Sequence, residues 1–391
     1  MGPRKIPFLI VGGGIGGLAT ALALSRKGRL VHLLEKDDEF GEIGAGLQLA
    51  PNASRMLDRL GVLGEIAKSA VYPKRLLWMD AISGDPLTAV NLGEKFQKRY
   101  GYRYLVMHRT DLLNVLLEAC RANDLITMES RKRAVSVEDL GDGVQVCCAD
   151  GSVYDGSALV AADGLWSTVR QFVHDDGDPV CSTYVAYRGT IPITQFPEGA
   201  PPEEMMLWTG PEMHFVRYPL RGRTLYNQVA VFRSYRYRPD SDDWGTPEEL
   251  DEHFAGTCAV VRKGIALIDR SRRWPMFDRL PIANWTRNRI TLLGDAAHPM
   301  LQYLAQGACQ ALEDAVTLAD YVDRFGECVD QAFLAYQQIR ASHTAKVQHA
   351  ARAFGELWHR RPEELPRRNR LLAQRAHDDY IELDWLYGAR E

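Results

Sequence analysis

The chain has 391 residues, of which 46% are hydrophobic and 25% charged, with a formal net charge of −4. That balance belongs to a globular protein with a large core, divided into two or three domains or built as one large α/β unit. The weak net charge argues for no nucleic-acid or membrane partner, and no uncharged apolar run reaches the roughly 18 residues of a membrane-crossing helix.

The apolar stretch at residues 6–11 is too short for a signal-peptide core and runs straight into a glycine loop, so it is assigned to the fold. Residues 8–11 read as a strand, 12–17 as a turn, 18–24 as an alanine- and leucine-rich helix and 30–34 as the next strand. Such a βαβ unit makes a parallel sheet. A smaller insertion, residues 72–104, is expected to add strands to a second, antiparallel sheet. Two further strands end at glycine-bearing turns, 158–162 before Asp163 and 290–293 before Gly294. The three pieces are far apart in sequence and are expected to assemble one discontinuous nucleotide-binding domain. Between them, over residues 181–281, the runs 183–188, 214–218 and 227–232 are aromatic and β-branched and are separated by Gly and Pro. They predict an antiparallel sheet with one face on a core or ligand. Beyond Gln310 the chain reads as helical.

The seven cysteines are scattered and odd in number, with no C-x-x-C pair, and the ten histidines show no H-E-x-x-H spacing. Buried free thiols in a reducing cytoplasm, with no disulfide framework and no metal site, are the expectation.

Gly12-x-Gly14-x-x-Gly17 is a weak signal alone, but here it follows a predicted strand and opens a predicted helix. The glycines let the backbone approach a pyrophosphate, which then rests on the helix N-terminus. Glu35 ends the second strand, where an acid accepts a hydrogen bond from a ribose 2′-OH and repels a 2′-phosphate. FAD or NAD is therefore favoured over NADP at this position. Asp163-Gly164-x-x-Ser167-x-x-Arg170 and the run from Gly294 through Asp295 and His298 to Pro299 could each, taken singly, be a strand-ending turn or a helix cap.

Taken together and in this order, the three motifs resemble the fingerprints of the group A flavoprotein aromatic hydroxylases. The run 294–307 departs from the common pattern of that family, carrying Leu301-Gln302 and Leu304-Ala305 in place of Pro-Pro and Gly-Gly. That departure, with residues 40–48, 186–189, 214–220, 355–359 and 384–385, is similar to the 3-hydroxybenzoate 6-hydroxylase branch, so the resemblance covers nearly the whole chain. It implies an α/β fold: a Rossmann-type FAD-binding domain on a parallel sheet (residues 1–72, 105–180 and 282–330), an antiparallel-sheet substrate domain (73–104 and 181–281) and a C-terminal helical region (331–391).

The resemblance also assigns roles. Asp163 lies near the pyrophosphate, Asp295 accepts hydrogen bonds from the ribityl chain, Arg109 contacts FAD, and the helix starting near Gly307 aims its N-terminus at the flavin pyrimidine edge. FAD is the cofactor and NADH or NADPH the co-substrate. Reduced flavin takes up O2 as a C4a-hydroperoxide, and a small phenolic acid attacks its distal oxygen. 3-Hydroxybenzoate giving 2,5-dihydroxybenzoate is the implied reaction. A phenol with a pKa of ~10 costs roughly 4 kcal/mol to ionise at neutral pH, so a positioned base is needed. By itself His214 could be a satisfied histidine in a sheet. The family comparison makes His214 and Gln302 the substrate-activating pair, His214 titrating near neutrality and Gln302 orienting the hydroxyl. Tyr104 and Tyr218 line the pocket or serve the core. His298 is expected to be structural. The arginines at 360, 361, 367, 368 and 370 are expected on a solvated helix or loop, or against a partner subunit. A cytoplasmic homodimer without a membrane partner is implied. A decarboxylating salicylate- or hydroxynicotinate-type hydroxylase, an NAD-only dehydrogenase and a non-hydroxylating flavoprotein are the alternatives.

Overall fold

A computed structural model describes residues 6–41, 44–195, 203–239, 241 and 243–389. The strand Phe8–Val11 is apolar and buried at all four positions, as a strand covered on both faces must be. It sits inside a six-stranded sheet ordered Thr286–Arg287, Ile290–Leu292, Ala158–Ala161, Phe8–Val11, Val31–Leu34, Ile126–Glu129. Neighbours run parallel except at the edge, where Thr286–Arg287 and Ile290–Leu292 form a hairpin. Register sets Val11 beside both Leu34 and Ala161, so three strands end level and deliver Gly12, Glu35 and Ala162 to one edge. The helix Ile15–Arg26 leaves from that edge, packed between the sheet and the helices Arg109–Arg121 and Gly307–Phe325.

A second, seven-stranded sheet runs Trp274–Asp278, Val180–Pro192, Leu225–Arg233, Met213–Leu220, Glu204–Gly210, Arg75–Asp80, Pro86–Asn91. The 72–104 insertion does add its strands here. The sheet departs from the expected antiparallel pattern at one junction, where Glu204–Gly210 and Arg75–Asp80 run parallel. The two strands come from distant parts of the chain, and a parallel pair needs a long crossover in place of a hairpin. Alternation along Met213–Leu220 divides the faces. His214, Val216 and Tyr218 border a cavity, while Met213 and Phe215 enter a separate core with Trp208, Tyr187 and Phe232. That core is covered by the helices Pro247–Phe254 and Ala259–Ala266, which the sequence reading had not separated from the strands. Two small sheets were not foreseen either: Val153–Gly156, Val144–Cys148, Ala134–Asp139, and the pair Gly46–Leu49 with Leu105–His108.

Behind Gly307–Phe325 runs the 30-residue helix Val329–Trp358, followed by Leu365–Ala373. The tail returns so that Tyr380 and Tyr387 meet Phe96 edge-on, which ties the C-terminus to the 72–104 insertion. Among the described residues no helix is long and apolar enough to cross a membrane, and no cluster of His, Cys, Asp and Glu could hold a metal ion. The cysteines are free thiols, but only Cys120, Cys148 and Cys309 are buried; Cys147, Cys181 and Cys258 are half-buried and Cys328 is exposed.

Candidate active site

The first glycine turn is tight enough to exclude side chains. Gly12 has φ +104°, and a Cβ there would lie 2.3 Å from the Ala162 carbonyl oxygen. A Cβ on Gly17 would lie 1.8 Å from the Gly12 carbonyl oxygen. The helix that follows has Gly14 at its N-cap, no side-chain cap and no acid in its first turn. Its first N–H groups are left to an external acceptor, and Gly14, Ile15 and Gly16 border the cavity. Glu35 is 8% exposed and is laid against this turn. It accepts hydrogen bonds from the N–H of Gly13 at 2.5 Å and of Asp37 at 2.9 Å. Lone pairs remain on both carboxylate oxygens for a hydroxyl donor. In the related stretch 40–48, residues 42 and 43 lie outside the described residues.

The second motif is built differently from expectation. Asp163 turns its carboxylate onto the helix behind it, accepting from the N–H of Thr168 at 3.0 Å and of Val169 at 3.4 Å. Its neighbours Ala162 and Gly164, not its own side chain, border the cavity. Burial raises the Asp163 carboxyl pKa against the hydrogen bonds that lower it, and its Oδ1 is a buried acceptor without a protein donor. Ser167 caps the same helix, accepting from the Arg170 N–H at 2.9 Å. The fully buried Arg170 then donates to the carbonyl oxygens of Ala296 and Ala297, at 2.9 and 2.8 Å, clamping the second motif to the third.

Within the third motif, Gly294 turns the chain at φ +60° and Asp295 stands exposed at the cavity. A Cβ on Gly307 would lie 3.9 Å from Asp295 Oδ1, so this carboxylate adjoins the start of the helix Gly307–Phe325. Gln306 at the N-cap makes no capping bond to that helix, and Gly307, Ala308 and Ala311 border the cavity. Arg109 borders it too, as the first residue of the helix Arg109–Arg121, its backbone N–H bonded to Ala45 O at 2.9 Å. His298 lies beneath the loop, away from the cavity lining. It is hydrogen-bonded to Asp314 at 2.5 Å, and Arg340 donates to Asp314 and to Glu313, each at 2.7 Å. Burial alone would raise the Asp314 carboxyl, but His298 and Arg340 hold it down at about 2.

The cavity itself measures about 690 Å³ and its walls are mostly apolar. His214, Gln302, Tyr104 and Tyr218 all border it, so the four residues expected at the substrate come together from three distant segments, His214 and Tyr218 sharing the strand Met213–Leu220. Tyr104 donates to Gln48 Oε1 at 2.7 Å, and burial raises the phenol pKa of both Tyr104 and Tyr218. Both therefore stay protonated. Gln302 is exposed in the short turn Gln302–Leu304.

His214 corrects the sequence expectation. It is 1% exposed, its edge-on neighbours are Trp358 and Tyr303, and its Nδ1 lies 2.7 Å from Nε2 of His359. Burial, and then His359, push its pKa well below that of a free imidazole, so it is neutral at working pH and does not titrate near 7. His359 is itself buried, and burial together with the Arg368 charge lowers its pKa to about 3. The sequence reading quoted residues 355–359 for the resemblance but gave His359 no role. Nothing in its spacing points 145 residues back to His214. Arg368 is a second correction. It was placed on a solvated stretch, yet it is 3% exposed and donates to the carbonyl of Trp358 at 2.9 Å, which closes the end of the long helix.

A side-chain-free turn, two helix N-termini without capping side chains and the exposed Asp295 carboxylate at the cavity fit a dinucleotide with hydroxyl donors and a pyrophosphate. The comparisons agree. The protein family described as FAD binding domain matches residues 5–351. The chain is 41% identical over 387 residues to 3-hydroxybenzoate 6-hydroxylase 1 of Aquipseudomonas alcaligenes, covering 97% of each. It is 40% identical over 390 residues to the 3-hydroxybenzoate 6-hydroxylase of Polaromonas naphthalenivorans (strain CJ2), covering 99% of this chain and 96% of that one. Among solved structures it is similar to Klebsiella pneumoniae HpxO complexed with FAD and uric acid, with a TM-score of 0.85 and 26% identity over 98% of this chain and 97% of that one. The chain belongs to the FAD binding domain family and is a flavin-dependent aromatic-ring monooxygenase.

Proposed function

We propose that the enzyme hydroxylates 3-hydroxybenzoate para to its hydroxyl group, with NADH and O2, giving 2,5-dihydroxybenzoate. Bound FAD would supply the redox chemistry, hydride uptake from the nicotinamide and activation of O2 for transfer of one oxygen atom to the ring. The protein's part is to hold the ring and manage its phenolic proton. His214, neutral in its buried site, presents an imidazole nitrogen that can accept that proton, and Gln302 fixes the hydroxyl from the other wall. Full ionisation in water would cost roughly 4 kcal/mol at pH 7, whereas a base in place takes the proton as the ring reacts. Tyr104 and Tyr218, locked as phenols, add hydroxyl groups to the apolar wall.

Around that site, Gly12, Gly14, Gly17, Glu35, Arg109, Asp163, Asp295 and Gly307 hold the cofactor. In the same reading, residues 1–72, 105–180 and 282–330 form the FAD-binding domain, 73–104 and 181–281 the substrate domain, and 331–391 a C-terminal region. The protein works as a cytoplasmic homodimer in the breakdown of aromatic acids. The observation that supports this best is a single cavity bordered at once by the glycine turn, Asp295, His214 and Gln302. The test is NADH consumption with 3-hydroxybenzoate, the product identified by chromatography. Stoichiometric 2,5-dihydroxybenzoate is expected. NADH loss with only peroxide would discard this substrate, and CO2 release would assign the decarboxylating reaction instead.

A further inference from the structure

A second cavity of about 410 Å³ lies behind the wall that carries His214. Tyr303 borders both cavities, His214 only the first and His359 only the second. The wall is therefore bridged by two imidazoles in contact. Their planes are nearly parallel, at 22°, with centroids 4.9 Å apart and the facing nitrogens 2.7 Å apart. The centroid spacing exceeds the nitrogen spacing by about two ring radii, so the rings meet edge to edge along the N···N line and do not stack face to face. The far cavity is polar. Arg233 pairs with Glu212 at 2.7 Å, Arg352 with Asp278 at 2.7 Å and Arg360 with Glu364 at 3.0 Å, and Glu356 borders it too. Tyr184 lies flat on His359 at 4.5 Å and fixes the plane of the ring.

We propose that His359 is a positioning residue for His214 that accepts the His214 Nδ1 proton and opens a path from the substrate cavity to the second cavity. The inference rests on His214 facing the substrate phenol. A bond between two neutral imidazoles needs one donor and one acceptor. If His214 Nε2 is to accept from the phenol, its proton sits on Nδ1 and is given to His359 Nε2. The transfer then balances without a buried imidazolium. The phenol O–H bond breaks as a bond forms to His214 Nε2; the Nδ1 proton moves to His359 Nε2; the His359 Nδ1 proton leaves to water or a carboxylate in the second cavity. Only the substrate is left charged in the first cavity. The proton returns by the reverse sequence when the product phenol is remade, which resets both tautomers. Burial and Arg368 make His359 a poor holder of a second proton, in keeping with a relay and not with a store.

The experiment compares His359→Gln, His359→Ala and His214→Gln in FAD-loaded protein with 3-hydroxybenzoate, reading kcat, KM and the 15N spectra of the imidazoles. In the wild type, His214 is expected as the Nδ1–H tautomer. His359→Gln, whose amide oxygen can still accept from Nδ1, keeps that tautomer and a KM within about twofold but loses about tenfold in kcat, because it cannot pass the proton on. His359→Ala loses the same kcat and shifts His214 toward the Nε2–H tautomer, and this raises KM. Wild-type kcat in His359→Gln with a slow His214→Gln would overturn the relay and leave the proposed reaction standing. Wild-type kcat in His214→Gln would overturn both. An Nε2–H tautomer of His214 in the wild type would overturn the direction of transfer and with it the proposal.

Discussion

Two buried histidines show how one residue type is made to serve two ends. His298, under the third-motif loop at the parallel sheet, is set among charges. Asp314 accepts from it, Arg340 joins Asp314 to Glu313, and all are enclosed. His214, in the wall of the other sheet, has a neutral imidazole, two aromatic edges and a cavity. Buried charges that are matched hold a loop in one shape, and separating them is costly. A buried imidazole with a neutral partner stays uncharged and free to exchange its proton. The neighbours, more than the histidine, decide which region is scaffold and which is chemistry.

The harshest way to break the scaffold side is Asp314→Asn. It leaves His298, Arg340 and the Gly294 N–H without their shared anion, and about 3–5 kcal/mol of stability should go, read as a lower denaturation midpoint. The pH dependence has a definite sign. The folded carboxyl is held down at about 2, below the ~3.9 of an unfolded aspartate. Its contribution is full above the unfolded value and disappears as the pH falls toward the folded one. Wild type should lose stability through that acid window, and the variant should have little left to lose there. An unchanged midpoint in Asp314→Asn would mean that the network is not what holds the loop.

Next in size are two changes at the glycine turn. Gly17→Ala puts a Cβ 1.8 Å from the Gly12 carbonyl oxygen, so the helix start must move. Glu35→Arg removes the acceptor of the Gly13 and Asp37 N–H groups and sets a cation where a ribose hydroxyl would donate. Each is expected to lower FAD affinity by at least tenfold, about 1.4 kcal/mol, seen as loss of yellow colour on gel filtration. Protein that stays as yellow as wild type after Glu35→Arg would end the ribose assignment.

The chemical side is tested by His214→Gln. It should retain FAD and slow hydroxylation at least tenfold, with NADH oxidation running on to peroxide. Because burial and His359 lower the His214 pKa, wild-type hydroxylation should show no His214 limb near pH 6.5. An acid limb at that pH which vanishes in His214→Gln would show that the bound imidazole titrates after all, and would end the neutral-wall reading of His214.

The same contrast explains what could be read from the chain. The parallel-sheet region was legible because its constraints are local. A glycine at φ +104° and strands buried on both faces leave a signature within a few residues. The wall was legible only as aromatic and β-branched runs, enough to predict a sheet with one face on a core or ligand. Asp163 faces its own helix because Thr168 and Val169 offer bare N–H groups nearby, a competition that a motif does not display. His359 and Arg368 were missed for another reason. Their partners are set by the packing of a helix that ends against His214 in space but about 145 residues from it in the chain, and no period or spacing encodes that meeting.

The smallest change sharpens the comparison most. Tyr104→Phe keeps the ring that packs between Phe96 and Tyr387 and removes only the hydroxyl that donates to Gln48 Oε1 at 2.7 Å. Burial keeps the phenol protonated, so its contribution is that of one neutral hydrogen bond, about 1 kcal/mol, and does not depend on pH across the working range. That bond is made without substrate, so if Tyr104 only shapes the wall, its loss is felt equally by free enzyme, bound substrate and transition state. Stability should then fall by about 1 kcal/mol, read as a lower denaturation midpoint, with KM and kcat unchanged. A fall in kcat at constant KM would mean that the hydroxyl meets charge developing on the ring. Tyr104 would then belong with His214 among the groups that act on the substrate, and the neutral wall would be larger than the imidazole pair alone.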